Sequence, residues 1–366
     1  MGKLTEFFKK LFSGKIRVSR DIGIDLGTAT VLVYVEGKGI VLKEPSVVAV
    51  DTMTDKVFAV GREAQQMLGR TPENITAFRP LRDGVISQYE ITLNMLEHFI
   101  RRACKNIVFQ PRVVICIPSG ITDVEERAVL QAGRDAGARR TYLIEEPLAA
   151  AIGVGIDISA PVGHMIVDIG GGTTDVAVIS LGGIVASKSV RIAGDKFDEA
   201  IMKYVRRKYN VLIGERTAET VKIRIGTVFD RRPEESLEIK GRSLADGQPK
   251  VITLSSGEMI EALAEPASAV LDAIYSVIER TPPELIGDIM KNGIIMTGGG
   301  SQLSGLDRLI TKATGIRARV AKNPESCVAM GTGRALSFLE HLPEGTIRIS
   351  DEKIPVHHAG SERGDR

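Results

Sequence analysis

The sequence has 366 residues, which is long for one hydrophobic core and fits two domains. Its 48 lysines and arginines nearly balance 46 aspartates and glutamates, so the net charge of +2 gives no field that would attract nucleic acid or acidic substrates. The three cysteines, Cys104, Cys116 and Cys327, are far apart and share no metal-binding spacing. Neither a disulfide framework nor a zinc site is therefore expected, which suits a reducing cytoplasm.

The first predicted element is an amphipathic helix within residues 1–14. Lysines flank an apolar face whose members follow the helical spacing i, i+3, i+4, i+7, i+8, namely Leu4, Phe7, Phe8, Leu11 and Phe12. These lysines interrupt any signal-peptide core, and no run in the sequence is long enough to span a membrane. The pattern favours a helix that lies on a membrane surface, and the alternative is a helix docked on the protein's own body.

The rest of the chain alternates strands and helices. Strands are expected within 21–50 and 113–119, and helices over 90–107, over 122–137 and within 195–226. Short strands are expected within 230–250, and residues 292–310 read as strand, glycine turn and helix. The polar segment 343–366 has no period, and we expect a flexible tail there.

An internal repeat indicates the architecture. The segment "IDLGTATVLVYVEGKGIV" (24–41) matches "VDIGGGTTDVAVISLGGIV" (167–185), with Asp25 opposite Asp168 and one extra residue in the second copy. Each copy reads as three strands joined by two turns, so the chain contains a duplicated βββα unit. Two such α/β halves would present their first turns to a shared cleft. The connections that contain helices predict a mostly parallel sheet with an antiparallel hairpin at one edge.

The glycine turns predict a polyphosphate site, although one such turn by itself is more often an ordinary hairpin. Backbone N–H groups at a glycine turn bind anions, and the aspartates beside them make sense if Mg²⁺ lies between them and the phosphates. We therefore expect Asp25 and Asp168 to face each other across the metal, through water. Walker and Rossmann loops fit poorly because their glycines lead into a helix, whereas both turns here lead into strands. A third glycine turn, "TGGGS" (297–301), suits close approach to a nucleoside.

Taken together, these motifs resemble a known family. The pattern D-x-G-T, E-E-P-x-A-A-A-I-G, V-D-I-G-G-G-T-T-D and T-G-G-G-S is similar to the superfamily of actin, heat-shock chaperones and sugar kinases. Longer stretches such as "GIVLKEPSVVAV", "GRTPENITAFRPLRDGVI" and "LIGERTAETVKIRIG" resemble more closely the MreB/Mbl family of bacterial actin homologues, through most of residues 21–340.

The resemblance implies an α/β, actin-like fold with two duplicated RNase-H-like lobes and a nucleotide cleft between them. Lobe I would span 15–160 with an insertion at about 45–90, and lobe II 161–342 with an insertion at about 205–270. The resemblance also implies ATP and Mg²⁺ as cofactors and assigns nucleotide-binding residues. These are Thr28, Ala29, Thr30, Gly170, Gly171 and Gly172 at the phosphates, and Ala218, Glu219, Thr220, Val221, Gly298, Gly299, Gly300 and Ser301 at the nucleoside.

Two residues would carry hydrolysis by the same resemblance. Glu146 matches the family's water-orienting carboxylate, with Glu145 as the alternative, and Thr173 would assist that water. By its position alone, Glu146 is equally well explained as an acidic residue that stabilises a helix N-terminus. At position 30 the family more often has Asn, so Thr30 keeps a hydroxyl group but lacks the amide.

The implied function is a slow ATPase that polymerises into antiparallel double filaments on the inner face of the cell membrane and directs wall synthesis and rod shape. Its implied partners are further copies of the chain, the membrane and the cell-wall elongation machinery. Relatives also use an apolar loop at the membrane, which here would be 106–110 with Val108 and Phe109. A chaperone is disfavoured because only a short tail follows residue 340, whereas a small-molecule kinase stays open. Filaments formed with magnesium and ATP would separate these classes.

Overall fold

Two β-sheets, one in each half of the chain, form the framework of the computed structural model, which describes residues 21–82, 84–104, 110–337 and 347–349. The strands of the first half are β1 (Ile22–Leu26), β2 (Thr30–Val35), β3 (Gly39–Pro45), β4 (Val48–Asp51), β5 (Lys56–Val60), β6 (Ile75–Phe78), β7 (Leu81–Arg82), β8 (Val85–Ile86), β9 (Arg112–Ile117) and β10 (Arg140–Glu145). Those of the second half are β11 (His164–Ile169), β12 (Thr174–Ser180), β13 (Gly183–Val190), β14 (Val211–Leu212), β15 (Ser236–Ser243), β16 (Pro249–Ser255), β17 (Ile294–Thr297), β18 (Ala318–Val320) and β19 (Ile347–Ile349).

Helices connect the strands and cover the sheets. They are α1 (Arg62–Met67), α2 (Tyr89–Ala103), α3 (Asp123–Asp135), α4 (Glu146–Val154), α5 (Gly194–Tyr209), α6 (Glu215–Ile225), α7 (Ser256–Ala262), α8 (Ala264–Arg280), α9 (Pro283–Asn292), α10 (Leu306–Thr314) and α11 (Cys327–Ala335). The predicted helix at 122–137 is found as α3, and its start is fixed by a capping box. The Thr122 hydroxyl oxygen accepts from the Glu125 N–H, and the Glu125 carboxylate accepts from the Thr122 N–H at 2.8 Å.

The predicted repeat is present as two three-stranded antiparallel units, β1–β3 and β11–β13. The strand order is β19-β10-β9-β1-β2-β3 in the first sheet and β13-β12-β11-β17-β18 in the second. The prediction of a mostly parallel sheet was wrong, because both sheets are mixed. Parallel pairs occur where helices connect the strands, as between β1 and β9, whereas the two tight turns of each repeat force antiparallel pairing.

The two sheets are joined through the close packing of α4 against α11. A third apolar cluster holds these helices together with side chains from both sheets, among them Val114, Ile144, Ile166 and Ile295. The helices cross where each has a glycine. A Cβ atom at Gly331 would lie 1.7 Å from the Ala149 carbonyl oxygen, and one at Gly153 would lie 1.8 Å from the Cys327 carbonyl oxygen. This crossing fixes the position of one sheet relative to the other.

Two three-stranded sheets extend from the lobes. Strands β5-β4-β6 form one in the first half, and β14-β15-β16 form the other in the second half, where short strands were predicted. The segment 343–366, expected to be a flexible tail, contains β19, which pairs antiparallel with β10. The edge of β10 offers free backbone groups, and Ile-Arg-Ile is a sequence that pairs readily as a strand.

Candidate functional site

The two repeated turns face each other across a cleft. The β1–β2 turn contains Thr28 and Ala29, and the β11–β12 turn contains Gly171 and Gly172. A Cβ atom at Gly172 would lie 2.6 Å from the Thr28 hydroxyl oxygen, and one at Gly171 would lie 2.6 Å from the Ala29 Cβ. Only glycine therefore allows the second turn to come this close to the first. The sequence-based expectation of two opposed turns is confirmed.

The aspartates that precede the turns lie at the bottom of this cleft. The Oδ1 atom of Asp25 lies 3.4 Å from the Sγ atom of Cys116. Asp168 accepts a hydrogen bond of 2.5 Å from the Thr297 hydroxyl. Burial raises the pKa of Asp25 to about 7, with a further contribution from the negative charge of Asp168. Burial likewise raises the pKa of Asp168 to about 6, against the hydrogen bond from Thr297. Both aspartates line the same cleft, so the repeat brings them to one site.

Two further carboxyl groups complete a buried acidic cluster. Glu146, the first residue of α4, is 8% exposed, and Asp175 in β12 is fully buried. Burial and the charges of Asp175, Asp168 and Asp25 raise the pKa of Glu146 well above its usual range. Burial raises the pKa of Asp175 to about 7, although its carboxylate accepts a 2.7 Å hydrogen bond from the Ser119 N–H. Such a cluster favours a cation as its counterpart.

The cleft has a volume of about 600 Å³, which is ample for a nucleotide. Fourteen of the predicted site residues line it: Asp25, Thr28, Ala29, Thr30, Glu146, Asp168, Gly170, Gly171, Gly172, Thr173, Glu219, Gly298, Gly299 and Gly300. The third glycine turn closes one side of the cleft as a short 3₁₀ turn (Gly299–Gln302), and an α-helix begins only at Leu306.

Four predicted nucleoside residues do not line the cleft. Ala218 and Val221 are buried in the apolar core of the second lobe, and Thr220 is exposed. Four consecutive residues of α6 cover more than one full turn, so they cannot all face one ligand. Ser301 is also buried, and its hydroxyl donates to the Gly298 carbonyl oxygen at 2.7 Å.

The sequence interpretation missed several residues that line the cleft. Lys222, Ile223 and Gly226 follow Glu219 at i+3, i+4 and i+7, and this helical spacing was available from the sequence. Lys43 and Glu325 also line the cleft and form an ion pair across it. Because 282 positions separate them, no local pattern could have revealed that contact.

The predicted membrane residues Leu4, Phe7, Phe8, Leu11, Phe12, Val108 and Phe109 lie outside the described residues. Within the described part of the chain, no helix combines the length and the apolar character that crossing a bilayer requires.

The fold and the opposed glycine turns define the actin-like class of α/β proteins. A family model described as "MreB/Mbl protein" matches residues 19–344. The cell shape-determining protein Mbl of Bacillus subtilis (strain 168) is 53% identical over 327 residues, which cover 89% of this chain and 98% of the relative. The cell shape-determining protein MreB of Escherichia coli (strain K12) is 52% identical over 328 residues, covering 88% and 94%.

Solved structures of MreB5 from Spiroplasma citri are also similar to this chain. The structure bound to ADP has a TM-score of 0.84 at 39% identity and covers 88% of this chain and 97% of its own. The structure bound to AMPPNP has a TM-score of 0.84 at 40% identity, covering 88% and 98%. The chain therefore belongs to the MreB/Mbl family.

Proposed function

We propose that this chain is an ATP-dependent cytoskeletal protein that hydrolyses ATP slowly and polymerises into membrane-associated filaments that direct wall synthesis and rod cell shape. Its family membership gives it a cytoskeletal role in cell shape, since its relatives are cell shape-determining proteins. The observation on which the proposed binding and hydrolysis of ATP depend is the pair of glycine turns. The two turns are in contact and line one cleft of about 600 Å³.

The proposed nucleotide would lie in the cleft with its phosphates against both turns. Thr28 to Thr30 and Gly170 to Gly172 would hold the phosphates, while Glu219 and Gly298 to Gly300 would contact the nucleoside. The solved relatives bound to ADP and to AMPPNP support this choice of ligand. The proposal leaves Ala218, Thr220, Val221 and Ser301 as supporting residues rather than contacts.

Magnesium fits the donors beside the phosphates. Asp25 and Asp168 both line the cleft and offer carboxylate oxygens, the kind of ligand that magnesium prefers. No group of three or more metal-ligating side chains occurs among the described residues, and Mg²⁺ bound with a nucleotide needs only one or two carboxylates besides water and phosphate. A bound magnesium ion would supply positive charge to the phosphate oxygens during their transfer.

Glu146 and Thr173 are assigned to hydrolysis. Glu146 is nearly buried at the cleft, where its carboxylate would orient an attacking water and accept a proton from it. Thr173 also lines the cleft, and its carbonyl oxygen accepts from the Gly170 N–H at 2.9 Å, which fixes the turn beside the phosphates. Because positioning supplies most of the catalysis in phosphoryl transfer, two such groups suffice for slow turnover.

The geometry of the first sheet supports a membrane-facing surface. Strands β1 and β9 are parallel neighbours, with Ile22 opposite Val113. The first residues of these two strands, Ile22 and Arg112, therefore lie at the same end of the sheet. In the proposal, helix 1–14 and the loop with Val108 and Phe109 bind one bilayer together, on the cytoplasmic face of the membrane. The lobes, at 15–160 and 161–342, would then contact further copies of the chain to form the filament. The filament would meet the cell-wall elongation machinery at the membrane.

Electron microscopy of the full chain with magnesium and ATP on anionic vesicles tests the proposal. We expect paired filaments on the vesicles, and filaments off the vesicles when residues 1–14 are deleted. A Glu6→Ala variant, altered outside the apolar face, should still decorate vesicles. An absence of filaments would contradict polymerisation, and unchanged vesicle binding by the truncated chain would contradict the role of the helix. Calorimetry without heat on addition of Mg-ATP would contradict nucleotide binding.

A further inference from the structure

One ion pair links the small sheet of the first lobe to the second lobe at the opening of the cleft. Arg79 directly follows β6, and its Nη1 donates to the Asp195 Oδ1 at 2.7 Å. The two side chains are 26% and 32% exposed, so the pair is partly shielded from solvent. Asp195 lines the cleft, whereas Arg79 does not. The contact therefore joins a residue of the cleft lining to a first-lobe residue outside that lining.

Arg79 faces a cluster of acidic side chains on the second lobe. The carboxylates of Asp195, Glu215 and Glu219 raise the pKa of its guanidinium, against the effect of burial. Glu215 and Glu219 belong to α6, and Asp195 belongs to the first turn of α5. The guanidinium of Arg79 therefore contacts α5 through Asp195 and lies in the negative field of α6, and both helices border the cleft.

The backbone around Asp195 is attached to the second glycine turn. Its N–H donates to the Gly171 carbonyl oxygen at 2.8 Å, and the Gly194 N–H donates to the Gly170 carbonyl oxygen at 3.2 Å. Lys222 of α6 braces the same point, since its Nζ donates to the Gly194 carbonyl oxygen at 2.9 Å. A displacement of Asp195 would therefore also move the glycine turn that would hold the phosphates.

We propose that Arg79 and Asp195 form a clamp that keeps the cleft closed over bound nucleotide and sets the rate at which the nucleotide dissociates. The inference rests on the proposed nucleotide-binding function. Both are positioning residues, because the clamp acts through the relative position of the lobes and the glycine turn. It differs from the Lys43–Glu325 pair, which joins side chains that both line the cleft.

Dissociation of a fluorescent ATP analogue from the full chain, chased with excess Mg-ATP, tests the clamp. Arg79→Ala and Asp195→Asn should each accelerate dissociation about fivefold, which corresponds to about 1 kcal/mol. The double variant should be no faster than either single variant, since both remove the same contact. Arg79→Lys, which retains the charge, should stay within twofold of the unaltered chain. The acceleration should diminish as salt rises, because screening weakens the pair in the unaltered chain.

Two controls separate the clamp from a general loss of structure. Arg70→Ala removes an exposed arginine from the same region of the first lobe, and it should leave dissociation unchanged. Arg79→Lys is the second control, because it keeps a positive charge beside Asp195, Glu215 and Glu219. Unchanged dissociation in Arg79→Ala, equal acceleration by Arg70→Ala, or additive effects in the double variant would each overturn the clamp. If the unaltered chain bound no analogue, the proposed function itself would fail.

Discussion

At the scale of single residues, Glu146 is a carboxyl group that is nearly buried among other carboxyl groups. It begins α4 and is 8% exposed, and three neighbouring aspartates raise its pKa further than burial alone. A helix-start carboxylate that served only the helix dipole would gain from exposure to solvent and from distance to other acids. Its burial at the cleft among other carboxyl groups supports the proposed role in hydrolysis, because strongly shifted pKa values cluster at functional sites.

Glu146→Gln is expected to reduce the rate of ATP hydrolysis by about 100-fold or more, because loss of a general base typically costs 10²–10⁴-fold. Binding of ATP should persist, since the amide keeps the shape and removes a negative charge near the phosphates. Phosphate release under single-turnover conditions measures the first effect, and calorimetry measures the second.

Glu145→Gln is the matched control for that experiment. The neighbouring carboxylate accepts a hydrogen bond of 2.5 Å from the Ser119 hydroxyl and does not line the cleft. Its substitution should leave hydrolysis within a few-fold of the unaltered rate. An equal loss in both variants, or the larger loss in Glu145→Gln, would refute the assignment to Glu146.

At the scale of elements, the contact between α4 and α11 fixes the position of one sheet relative to the other. Both helices contribute small residues at the contact, including Ala149, Gly153 and Gly331, so their backbones can approach closely. Alanine has the higher intrinsic helix propensity, so glycine in a helix interior is costly unless space demands it. Glycine is required at both positions, because a Cβ at either one would overlap a carbonyl oxygen of the other helix.

Gly331→Ala should lower the free energy of unfolding by about 1–3 kcal/mol, the usual cost of overpacking a tight contact. Gly287→Ala offers the matched control, because this glycine is exposed within α9 and a Cβ there meets no atom within 4 Å. That variant should be neutral or more stable by up to about 1 kcal/mol. Urea unfolding of both variants measures the difference. Equal stabilities would show that the helices can separate without cost.

At the scale of the whole molecule, folding concentrates acidic groups from both lobes. Asp25 comes from the first sheet, and Asp168 and Asp175 come from the second. In the unfolded chain Asp25 is far in sequence from Asp168 and Asp175. The three carboxyl groups become neighbours only when the two lobes assemble. Without a bound cation, the burial and mutual repulsion of these carboxylates lower the free energy of unfolding. The stability of the protein should therefore depend on pH.

Without nucleotide or metal, the protein should lose stability as the pH rises from about 4 to about 7. The pKa of Asp25 rises from 3.8 to about 7 on folding, and Asp168 and Asp175 shift in the same direction. The folded chain therefore binds more protons than the unfolded chain within that window, so these groups stabilise it most at low pH. The midpoint of thermal unfolding should fall between pH 5 and pH 7.5, as measured by calorimetry.

Asp25→Asn should flatten this decrease, because the variant lacks one of the titrating groups. Asp272→Asn, which changes an exposed residue on α8, should leave the slope as it is in the unaltered chain. If Asp25→Asn kept the full slope, the pH dependence would have to arise elsewhere.

The amino-acid sequence by itself was sufficient for the features that are local or repeated. Asp25 and Asp168, the glycine turns and the three-stranded units follow from the repeat, because strand alternation and turn chemistry act over a few residues. The capping box at Thr122 likewise needs only four consecutive residues. The longer motifs indicated the family for the same reason.

Tertiary structure alone decided which side chains share the cleft. The partners of Arg79 and Lys43 lie 116 and 282 positions away, and β19 pairs with a strand about 200 residues before it. The sheets are mixed because tight turns, rather than helices, set the direction of the pairs β1–β2, β2–β3, β11–β12 and β12–β13. Such contacts depend on how two lobes pack around α4 and α11, and packing is a property of the assembled surfaces that no short stretch of sequence encodes.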